Sequence, residues 1–131
     1  MMRLAEKFPD IQFVSTYGDK GISNLTITGV VPHEKMKDYI EHAAVYLSTA
    51  KETFGIGILE AMAAGVPVLG LDHGGIQDTV RHGVNGYLAG DEKDLATGLK
   101  YCLEHQETLG KNGRKISKEW DWSRSVSMLS I

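Results

Sequence analysis

Short runs of Val, Ile, Leu and Phe alternate with stretches of helical spacing along the whole chain, and this alternation constrains the fold more than any single residue does. Residues 11–17 (IQFVSTY), 25–28 (LTIT), 44–47 (AVYL), 67–71 (PVLGL) and 87–89 (YLA) read as strands. They lack a clean apolar–polar alternation, which suits a sheet buried on both faces. Helical stretches lie between them. The first covers residues 1–8 and stops near Pro9; the next covers 34–42, with Met36, Tyr39 and Ile40 at helical spacing. A third covers 55–64 and ends before Gly65 and Pro67, and a short one covers 77–81. Residues 83–86 form a turn. Another helix opens at Asp91 or Glu92, with Leu95, Leu99, Cys102 and Leu103 on one face. The tail, 108–131, reads as two more helices around Trp120-Asp121-Trp122. The order predicts an α/β protein, an open parallel sheet with helices on both faces and ligands beyond the carboxyl ends of its strands. With 131 residues there is room for one core, so 1–131 is expected to be a single domain.

Composition removes several function classes. Fourteen Lys and Arg against 17 Asp and Glu leave a net charge of −3, far from the basic footprint of a nucleic-acid binder. A single cysteine, Cys102, excludes an internal disulfide framework and a multi-cysteine metal site. Arg3, Glu6, Lys7 and Asp10 break up any secretory leader. The most apolar stretch, 53–71, contains Glu60, several glycines and Pro67 and does not suit a bilayer span, so a cytoplasmic location is expected.

The chemistry concentrates in residues 51–67, KETFGIGILEAMAAGVP, directly after the 44–47 strand. The helix here is apolar nearly all round and is expected to be buried, with Glu60 as its one charge. A buried carboxylate needs a partner, either a protein donor or the hydroxyls of a ligand. Gly55 and Gly57 sit where a helix begins, where unpaired amides and the helix dipole favour an anion and a missing side chain lets phosphate approach. A tight strand-to-helix turn would ask for the same glycines. Glu60 stands where a dinucleotide fingerprint has its third glycine, which disfavours an NAD site. Glu52 precedes the helix, so two carboxylates flank the anion-binding turn and could grip sugar hydroxyls on either side of a phosphate.

Glu52-Thr53-Phe54-Gly55 followed by Glu60-Ala61-Met62-Ala63-Ala64-Gly65-Val66-Pro67-Val68 closely resembles the motif of the GT-B retaining glycosyltransferases of group one, whose two glutamates are separated by seven residues. The resemblance extends to Gly29-Val30-Val31-Pro32, Gly74-Gly75 and Asn85-Gly86-Tyr87-Leu88, nearly the whole chain. It implies a Rossmann-like donor domain that binds a UDP- or GDP-sugar for hexosyl transfer. Glu60 would hold the ribose hydroxyls. Glu52 would stand near the transferred sugar as the catalytic acid residue, with the backbone of Phe54 and Gly55 also facing that sugar. The amides of Ile56 and Gly57 would meet the diphosphate, and Val31 would offer its backbone to the base. Neither metal nor cofactor is implied. The family's Gly-Arg loop and lysine, its first strand and its N-terminal acceptor domain are not among these residues, so a partner chain or missing domain is expected, and the fragment alone is expected to be inactive. The alternatives are a nucleotide-sugar-binding module or remnant, and an epimerase-like relative.

Other features take plainer readings. The five histidines lack metal-ligand spacing, and His73 is the one placed to face the cleft. Lys111, Arg114, Lys115 and Lys118 share one helical face, which reads as a solvated basic face, with a membrane-surface or acceptor contact as the sharper alternative. Cys102 reads as a core residue, and Trp120 and Trp122 as anchors for the tail.

Overall fold

Helices and strands are interspersed along the computed structural model, and every pair of named strands is parallel. The structure describes residues 2–15, 21–29, 31–48, 56–72, 76 and 79–129, with backbone alone at 2, 33, 56 and 120–129. The chain divides into two compact units, Met1–Met36 and Lys37–Ile131.

The first unit holds α1 (Met2–Lys7), β1 (Phe13–Ser15) and β2 (Leu25–Ile27). Phe13 pairs with Leu25 and Ser15 with Ile27, and Leu4, Ala5, Phe13 and Leu25 are buried. Pro9 cannot continue α1, and the chain turns through Phe8 and Ile11, whose amides donate to the carbonyls of Ala5 and Phe8. That turn leaves carbonyls facing inward. The buried Asn24 amide collects three of them, donating to Ala5, Phe8 and Ile11 at 2.8, 2.9 and 3.0 Å. An Asn amide has two hydrogens, so at least one is shared between carbonyls. The unit boundary falls within α2 (His33–Glu41), which starts on the Pro32 carbonyl.

The second unit is built on a three-stranded sheet in the order β3 (Tyr46–Ser48), β4 (Val68–Leu71) and β5 (Gly86–Ala89). α3 (Ile56–Ala63) packs on β3 and β4, and α4 (Asp94–Glu104) on β4 and β5. α5 (Gln106–Leu129) packs chiefly on α3. Met62, Val68, Leu69, Val80, Cys102 and Leu109 are fully buried between these layers.

Three local expectations are corrected. Val45 precedes its strand, which starts at Tyr46. α4 opens at Asp94, because Asp91 instead forms the preceding turn, its carboxylate accepting from the Asp94 amide at 2.9 Å. Of the short helix expected over 77–81, residues 77 and 78 lie outside the described residues; the Thr79 and Val80 amides donate to the Ile76 carbonyl at 3.2 and 2.9 Å. The tail is one helix, not two, since no Gly or Pro follows Gly113 to interrupt it.

Candidate functional site

Because β3, β4 and β5 are parallel, Ser48, Leu71 and Ala89 end on one edge of their sheet. α3 connects β3 to β4, so its first turn must start from that same edge. The opening amides of a helix, here those of Ile56 and Gly57, have no acceptor within the helix and point toward whatever stands beyond it. Glu60 lies three residues after Gly57 and four after Ile56, on the same face of α3. The Cα–Cβ bonds of a helix tilt toward its N-terminus, which directs the Glu60 side chain back toward those amides.

Ile58, Ala61 and Met62 are buried, while Leu59 and Glu60 are half-buried and Ala63 is exposed. The expectation of a helix enclosed all round is therefore corrected. Among the described residues, the sheet and α5 cover two sides of α3. Glu60 accordingly sits at a boundary, and it is not without a polar partner.

Of the other residues singled out by sequence, Glu52, Phe54 and Gly55 lie outside the described residues, as does His73. Val31 is described in the first unit, half-buried between β2 and α2. Sequence reasoning passed over two polar residues at the carboxyl edge. Ser48 ends β3 and is buried, and Asp72 follows β4 and donates its amide to the Ala89 carbonyl at 2.8 Å. Both have polar partners. Their position at strand ends is the signal that could have marked them.

Behind this edge the structure is tied by side chains. Asn85 is fully buried; its Oδ1 accepts from the Arg81 amide at 2.7 Å and its Nδ2 donates to the Thr79 carbonyl at 3.3 Å. It holds the turn that feeds β5, a structural role. Tyr87 donates its hydroxyl to Asp94 at 2.9 Å, and that bond pushes the phenol above its ordinary value. Burial pushes the Cys102 thiol up to about 12. Among the described residues, no group of three or more His, Cys, Asp or Glu could hold a metal ion, and no helix is long and apolar enough to cross a membrane.

A parallel sheet with a helix N-terminus at its carboxyl edge defines the Rossmann-like class of α/β fold. Residues 18–118 match the family of glycosyl transferases group 1, and the chain belongs to that family. It is 30% identical over 111 residues to sulfoquinovosyl transferase SQD2 of Arabidopsis thaliana, covering 78% of this chain and 22% of that protein. Among solved structures, the C-terminal domain of a glycosyl transferase group 1 family protein (LpcC) from Francisella tularensis matches with a TM-score of 0.72 at 17% identity, over 90% of this chain and 73% of that one. Anabaena Alr3699/HepE, solved in complex with UDP, matches with a TM-score of 0.66 at 26% identity, over 82% of this chain and 33% of that one. The chain thus spans about a fifth to a third of these full-length relatives. Its fold is the Rossmann-like α/β fold of the GT-B glycosyltransferases.

Proposed function

We propose that this chain supplies the nucleotide-sugar pocket of a retaining glycosyltransferase, which moves a hexosyl group from a UDP- or GDP-sugar to an acceptor. The observation that carries the reading is the opening of α3. Two amide donors and a half-buried carboxylate share one helix face at the carboxyl edge of a parallel sheet, in a chain of this family. The amides of Ile56 and Gly57 take the diphosphate, and Glu60 accepts from the ribose hydroxyls. Val31 offers its backbone to the base. Glu52, with the backbone of Phe54 and Gly55, attends the transferred sugar. As the glycosidic bond breaks, negative charge grows on the leaving diphosphate, and donors fixed in place stabilise it while the acceptor attacks from the same face.

The reading includes an N-terminal acceptor domain or partner chain, which supplies a further strand, the diphosphate-binding cations and the acceptor site, and a cytoplasmic setting. Titration calorimetry with UDP- and GDP-sugars tests the pocket directly. Glu60→Gln keeps the shape of the residue but loses a charge-assisted acceptor, worth about 1.5–3 kcal/mol per bond. Nucleotide affinity is expected to fall about tenfold or more with the fold intact. Unchanged affinity would return Glu60 to a purely structural role. Product anomeric configuration, read by NMR once a partner chain restores transfer, tests retention.

A further inference from the structure

Over residues 109–118, α5 is basic on its outer side and buried on its inner side. Leu109, Gly110, Gly113, Ile116 and Ser117 face inward, while Lys111, Arg114, Lys115 and Lys118 are all exposed. The eight residues 111–118 hold four positive charges and no negative one, in a chain whose other residues sum to −7. These charges crowd one another. Lys111 and Lys115, and Arg114 and Lys118, are four apart on the helix, and Lys111 and Arg114, and Lys115 and Lys118, are three apart. Like charges at those spacings destabilise a helix. Within α5 they are offset only in part, by Glu107 four residues before Lys111 and Glu119 four residues after Lys115; the ion pairs recorded among the described residues, Lys37–Glu41 and Asp38–His42, both lie on α2. Of the four, Arg114 alone has a protein acceptor, the Ala64 carbonyl at 3.3 Å.

We propose that this outer face of α5 docks on the anionic headgroups of a lipid surface. Clusters of four or more Lys and Arg on an amphipathic helix are attracted to anionic leaflets, and the attraction acts within a Debye length of the surface. The local patch therefore governs the encounter although the whole chain is acidic. From residue 111 to 118 the stripe is only about 10 Å long. Lipid headgroups diffuse laterally and can gather under so short a patch, whereas duplex phosphates are fixed along two tracks and need a longer basic footprint.

The test is co-sedimentation of the 131-residue chain, without nucleotide, with vesicles of phosphatidylcholine alone or with about one-third phosphatidylglycerol. Binding is expected to the anionic vesicles only, and to vanish near 1 M salt, where the Debye length is about 3 Å. The variant K111E/K115E/K118E leaves Arg114 in place and should bind about a hundredfold more weakly or worse. The charge-matched variant K7E/K35E/K93E, at exposed positions elsewhere, should keep most of the binding. Circular dichroism and burial of Cys102 confirm that each variant is folded. Equal binding to neutral vesicles, no binding to anionic ones, equal loss in both variants, or tighter binding to duplex DNA would each overturn the proposal. Donor binding, measured separately by calorimetry, stands or falls independently of this result.

Discussion

The two ends of α3 each carry a glycine, and the described residues give a geometric account of the one at the C-terminal end. At the C-terminal end Gly65 has φ +75°, and the chain leaves the helix in a Schellman motif: the Gly65 amide donates to the Met62 carbonyl and the Val66 amide to the Ala61 carbonyl. α5 then presses so close that a Cβ on Gly110 would run into the Gly65 carbonyl, and one on Gly65 would meet the Arg114 guanidinium. Geometry accounts for that end completely. At the N-terminal end Gly57 lies inside the helix and is not among the glycines with positive φ. A glycine within a helix costs up to about 1 kcal/mol against alanine. What offsets the cost, in the reading proposed above, is the close approach of a diphosphate.

We expect the chain alone to transfer no detectable sugar from UDP- or GDP-sugars to simple acceptors. Loss of one electrostatic contributor commonly costs about 10²–10³ in turnover, and loss of acceptor orientation up to about 7–11 kcal/mol more. Robust transfer would direct attention to replacement cations, beginning with Lys51 and Arg81.

Next in size is Gly65→Ala. Forcing a Cβ into the left-handed region and against Arg114 should destabilise the fold by about 1–3 kcal/mol. Urea unfolding would read the loss, while nucleotide affinity per folded molecule stays unchanged. Gly57→Ala should do the reverse: stability rises by up to about 1 kcal/mol and nucleotide affinity falls. A Gly57→Ala variant that binds nucleotide as well as the parent would erase the distinction between the two ends.

α2 finishes without glycine, and His42 serves there instead, its Nδ1 2.8 Å from the Asp38 carbonyl. That contact, with the Asp38 charge, holds the imidazole above its ordinary value of 6.5. The support it lends to α2 is therefore complete below about pH 6.5 and lost as pH rises through the higher folded value. Amide exchange in the last turn of α2 should quicken over that window, and His42→Gln should flatten the response.

Much of this was legible beforehand, for identifiable reasons. Gly65 followed by Pro67 marked a helix stop because only glycine takes that φ without strain. Parallel pairing was readable from strands without alternation. α5 was harder to see because Gly110 and Gly113 are poor helix residues, and the close approach that calls for Gly110, to the Gly65 carbonyl, is a contact distant in sequence. The half-exposure of Glu60 was hidden for a related reason, since composition shows that a helix can be buried but not how many of its sides find a cover.

Cys102 turns one part of this architecture into a clock. Its thiol is sealed beneath α4 with its acidity suppressed, so at neutral pH almost none of it is the reactive thiolate. A maleimide can reach it only during moments when α4 lifts from β4 and β5, and the labelling rate then counts those moments. One native sulfur thus reports how often the back of the sheet breathes, with no probe added to disturb it.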